Sequence, residues 1–76
     1  MTAEEFIARH GSKRVLYVPG HAHGDTEHFD CERGRPIRAS ADPRTVFVHY
    51  EGDQQPKATT VSDLLVWGLN GWEEPS

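Results

Sequence analysis

The 76-residue sequence predicts a mainly β domain: a small, strongly bent antiparallel sheet of about four to five short strands, with a short helix before it and one helical turn near its end. Three observations carry this expectation. Short runs of β-branched and aromatic residues recur at close spacing, tight-turn dipeptides separate them, and no long stretch keeps the 3.6-residue period of an amphipathic helix. With 36% apolar and 26% charged residues, the chain is too apolar for a disordered segment and too short for a second core. Any partner must therefore meet a surface, groove or loop.

Thr2 followed by Glu5 has the spacing of a capping box, so residues 1–12 read as a short helical turn whose apolar anchors are Phe6 and Ile7. Residues 13–68 read as a single β domain. Its first strand, 13–18, ends at the turn dipeptide Pro19-Gly20, and its apolar side chains face both ways, as in a central or barrel strand. From 20 to 34 neither period holds, which predicts a long ordered loop. A second strand at 35–40 contains Pro36, which lacks an amide donor and belongs at an edge or a bulge. Asp42-Pro43 turns the chain into 45–50, the clearest strand, with Val46, Val48 and Tyr50 on one face and Phe47 and His49 on the other. A polar turn leads to a return strand at 57–60. Thr60 then has the position to cap a helical turn over 62–67, closed by Gly68, with Leu64 and Leu65 plugging one end of the sheet. Residues 69–76 read as a tail in which nothing pairs. The pattern points to a small SH3-like barrel.

No apolar run approaches the roughly 20 residues of a membrane helix, and the acidic start Met1-Thr2-Ala3-Glu4-Glu5 does not resemble a basic leader. Cys31 is the single cysteine, so no internal disulfide staples the core, which fits a reducing, cytoplasmic setting. The net charge of −4 is unevenly spread. Arg33, Arg35, Arg38 and Arg44 face Asp42 alone between 33 and 44, giving +3 there and −7 for the remainder. Solvated arginines on the outward side of a strand are the first expectation; the alternative is a basic stripe for nucleic acid.

The segment from His21 to Glu32 concentrates chemistry. His21, His23, Asp25, His28, Asp30, Cys31 and Glu32 put seven potential metal ligands within twelve residues. Zinc wants four ligands in a tetrahedron, and His21 or His23, then His28 and Cys31, would supply three, with the two-residue gap from His28 to Cys31 that structural zinc loops use. The fourth would come from Asp25, Asp30, a distant His10 or His49, or water. The first expectation is nevertheless a self-bonded structural loop with no cofactor. In it Asp25 and Asp30 accept from backbone amides, Cys31 is a small buried hydrophobe, and Gly24 and Gly34 adopt backbone angles that other residues avoid. His21-x-His23-x-Asp25 starts like the HxHxDH signature of metallo-β-lactamase-like hydrolases, but Thr26 follows where a histidine is needed. Cys31 with His28 lacks an orienting third group, so no catalytic residue is predicted and the chain is not expected to be an enzyme.

The run Tyr17-Val18-Pro19, then His21-Ala22, Gly24-Asp25, His28, Asp30-Cys31-Glu32 and Gly34, with Val46-Phe47-Val48 and Ser62-Asp63-Leu64 further on, resembles a group of small uncharacterised phage and prophage proteins. They share a HAxGDxxHxDCExG core, and the match spans roughly residues 15 to 65. The resemblance implies a compact SH3-like β domain without an assigned activity. Where those relatives carry a glycine-valine-type strand after the glutamate, this chain has Arg35-Pro36-Ile37. Together these readings predict a non-catalytic binding module that contacts an unknown host or phage protein. Trp72, Tyr17, Tyr50 and Trp67 are the candidate contact residues, since aromatic side chains carry much interface energy. Tyr17, Tyr50 and Trp67 are first expected in the core, whereas Trp72 sits in the acidic tail.

Overall fold

The computed structural model of the protein describes residues 1–18 and 32–75. Their architecture is one short helix on a six-stranded, wholly antiparallel open sheet: α1 (Ala3–His10), β1 (Val15–Tyr17), β2 (Glu32–Ala39), β3 (Thr45–Tyr50), β4 (Lys57–Thr60), a 3-10 turn (Val61–Asp63), β5 (Leu64–Gly68) and β6 (Gly71–Glu73). The strand order is β4-β3-β2-β1-β5-β6, which leaves β4 and β6 as edges.

The capping box forms as its spacing predicts. Thr2 accepts from the Glu5 amide, and the Glu5 carboxylate accepts from the Thr2 amide. Helix α1 packs against β2 and β3, and Ala3 and Phe6 are fully buried beneath it. The Ala3 amide donates to the Pro43 carbonyl, which ties the helix start to the β2–β3 turn.

Strand β3 spans the residues expected and alternates as expected, with Val46, Val48 and Tyr50 inside and His49 exposed outside. Strand β2 begins earlier than predicted because Glu32 and Arg33 pair with Tyr17 and Leu16 of β1. Pro36 is accommodated twice over. It lies beyond the last β1–β2 pair, at Gly34, so among the described strands β3 alone pairs with β2 there, and the register shifts between Pro36 and Arg38.

Two sequence expectations are corrected near the C-terminus. Helix over 62–67 reduces to the 3-10 turn, Thr60 makes no side-chain capping bond, and Leu64–Gly68 is strand. The reason is pairing: Leu64, Leu65 and Val66 bond across to Tyr17, Leu16 and Val15, with Leu64 and Val66 buried and Leu65 between them half-buried. The tail also pairs, since Trp72 and Glu73 of β6 lie opposite Trp67 and Val66. Among the described residues the strand count is therefore six.

The sheet is strongly curled. In a flat sheet β4 and β5, four strand positions apart, would be separated by about 19 Å. The chain nevertheless passes from Thr60 to Leu64 in four steps, which reach at most about 14 Å. The intervening turn is held from both sides: the Val61 amide donates to the Arg44 carbonyl before β3, and the Val18 amide after β1 donates to the Asp63 carbonyl. Curling brings Val46, Val48 and Tyr50 of β3 against Val15, Leu64 and Val66 of β1 and β5, with Phe6 and Val61 completing one core.

Candidate binding surfaces

Three surfaces hold the side chains that chemistry singles out. The first is the β5–β6 hairpin. Trp67 and Trp72 are register partners across it, their rings meet edge to face at 5.1 Å and 73°, and Leu69 at the turn is fully exposed. Trp67 is 51% exposed, so the core expectation for it is corrected: it occupies the outward position between inward Val66 and the turn. Trp72 is half-buried. Gly71, with φ of 97°, supplies the backbone angle that lets a two-residue turn of Leu69 and Asn70 return the chain.

The second is a cleft of about 240 Å³ at the end of the sheet where β1 stops and β2 starts, lined by Tyr17, Glu32, Tyr50, Lys57, Thr59 and Asp63. Tyr50 is 3% exposed, and its hydroxyl shares a 2.6 Å hydrogen bond with Thr59. Half-buried Tyr17 meets its ring at 6.2 Å. Burial pushes the Tyr50 phenol up to about 12; the Thr59 bond opposes that shift and the Glu32 charge adds to it. Below pH 10 folded and unfolded chains both keep the proton. Between about 10 and about 12 the unfolded chain releases it and the folded chain does not, so this group lowers stability as pH rises. Urea midpoints measured across that window should fall more steeply in the wild type than in Tyr50→Phe, and parallel curves would reject the assignment.

The third surface is the outer face of β2 and β3. Arg33, Arg35, Arg38 and Arg44 are all exposed. Arg35 lies opposite His49 and donates to the Ser12 carbonyl at 2.9 Å, while Arg38 lies opposite Phe47 with its guanidinium 4.4 Å from the ring centroid. Arg44 stands apart in the β2–β3 turn, 3.8 Å from Asp42. Composition alone had not marked Phe47 and His49 as companions of the arginines; the strand pairing does. A groove of about 500 Å³ adjoins them, between Arg14, Arg35, Ile37, His49, Glu51 and Asp53.

His21, His28, Cys31, Asp25, Asp30 and Gly24 lie outside the described residues. Among the described residues no group of three or more His, Cys, Asp or Glu side chains is placed to hold a metal ion. Of the two distant candidates for a fourth ligand, His10 is buried with its ring 5.4 Å from that of Phe6, and His49 Nε2 lies 2.9 Å from the Asp53 carbonyl oxygen. Gly34 is described, and its role is corrected. It is a strand residue paired with Val15 and Tyr50, without the positive φ found at Gly52 and Gly71. What it supplies is room for β3. No described helix is long and apolar enough to cross a membrane. Comparison with protein-family models, curated proteins and solved structures gives no match to this chain.

Proposed function

We propose that this chain is a non-catalytic, SH3-like barrel module, phage- or prophage-encoded and cytoplasmic, that works through protein–protein contacts made by its β5–β6 hairpin. The observation that carries the reading is the exposed apolar cluster on that hairpin: Trp67 half out of the core, Trp72 against it and Leu69 fully in solvent. A domain this small has little apolar surface to spare, and contiguous exposed aromatic area marks interaction sites. The curl of the sheet and the turn joining β4 to β5 support the barrel, and the HAxGDxxHxDCExG core supports the phage origin.

The test is cross-linking in a bacterial lysate with the wild type and the Trp67→Ala/Trp72→Ala double variant, with circular dichroism as a folding control. The wild type should capture a defined partner. The double variant should stay folded and bind it at least about 30-fold more weakly, as for an interface anchored by aromatic hot spots. Capture indifferent to both substitutions, or no partner from any lysate, would refute the assignment.

A further inference from the structure

We propose that the outer face of β2 and β3 is a second binding site, for single-stranded nucleic acid, independent of the tryptophan hairpin. The β2 bulge sets the geometry of this face. In a regular strand Arg35 and Arg38 point to opposite faces, because side chains alternate. Here Arg35 is the partner of His49 and Arg38 the partner of Phe47, and those two residues of β3 share one face. The extra residue, Ile37, therefore turns Arg38 outward, and two guanidinium groups stand beside two ring side chains about 7 Å apart along the strand. Arg33 extends the same face by regular alternation.

Charge selects the occupant. Two carboxylates lining the adjoining groove, Glu51 and Asp53, already face Arg14 at 3.7 Å and Lys57 at 3.3 Å. No carboxylate among the described residues pairs with Arg35 or Arg38. Among the described residues the face thus presents positive charge with no carboxylate partner, on a chain whose other residues carry a net negative charge, with the Arg38–Phe47 stack as a platform for a base. Phosphates on the arginines and a base on a guanidinium or aromatic plane are the two elements of single-strand recognition. The groove of about 500 Å³ beside Ile37, itself 47% exposed, gives the strand a path off the platform.

Fluorescence anisotropy of labelled oligothymidylate and oligouridylate of about 20 nucleotides, starting at about 50 mM salt, tests this. Binding is expected to weaken with salt with a logarithmic slope of roughly −1.4 to −2, for two to three phosphate contacts. Arg35→Gln/Arg38→Gln should reduce that slope by about 1.4. Phe47→Ala should lower affinity on the order of tenfold and leave the slope unchanged. Trp67→Ala/Trp72→Ala should bind as the wild type does, so the two surfaces succeed or fail separately. The single variant Arg38→Gln, a surface change, keeps the test open if another variant misfolds. Absence of binding at low salt, a slope indifferent to the arginines, or equal competition by an oligoglutamate of matching charge would overturn the proposal; the last would point to an acidic protein.

Discussion

Phe6→Ala is expected to destabilise the domain by about 3–5 kcal/mol, enough to leave much of a small protein unfolded at 37 °C. Phe6 is fully buried among the sheet residues and is the largest side chain by which α1 joins the core. An eight-residue helix is too short to persist by itself, so its existence depends on that contact. Removing the ring also takes the largest helix side chain out of the cluster that includes Val46 and Val48. Urea denaturation followed by tryptophan fluorescence measures the loss. A cost under about 1 kcal/mol would show that α1 stands outside the cooperative unit.

Gly34→Ala should cost about 2–3 kcal/mol despite adding one methyl group. A β-carbon there would sit 2.5 Å from the His49 carbonyl oxygen and 2.8 Å from the Tyr50 α-carbon. Both are backbone atoms of β3 and cannot rotate aside as a side chain would. Strand β2 would have to move away from β3 where it exchanges one neighbour for another: Gly34 is the last residue paired with β1 and the first paired with β3. The melting temperature should fall by more than about 8 °C, with the native spectrum retained in the folded fraction. A variant as stable as the wild type would mean that the strands separate there without cost.

Legibility differed between elements for physical reasons. The helix start was readable because a capping box is a contact between residues three apart. Strand β3 was readable because its alternation is strict and one face is buried. The segment 64–68 misled because Leu64, Leu65, Val66 and Trp67 are apolar at consecutive positions, a pattern that serves a helical turn or a strand with both faces partly covered. What decided was the pairing with β1, some fifty residues earlier, which no local signal reports. Strand β6 was missed for the same reason: three residues carry little propensity, and the pairing with β5 makes them a strand.

For the candidate sites the division is similar. Composition already marked the arginines between 33 and 44, the tryptophans and the His21 to Glu32 run as the residues with something to do. Which of them act together depends on register. One extra residue at Ile37 moves Arg38 from one face of the sheet to the other, and the edge-to-face Trp67–Trp72 pair exists because Gly68 and Gly71 close a two-residue turn. The sequence by itself determined a small, mainly β chain with one core, a capped N-terminal helix and an uneven charge distribution, because these follow from residue types and short-range spacing. Only the tertiary structure decided the six-strand order, the curl and the membership of each outward face, because strand pairing joins residues far apart in the chain and a one-residue slip reverses every side chain.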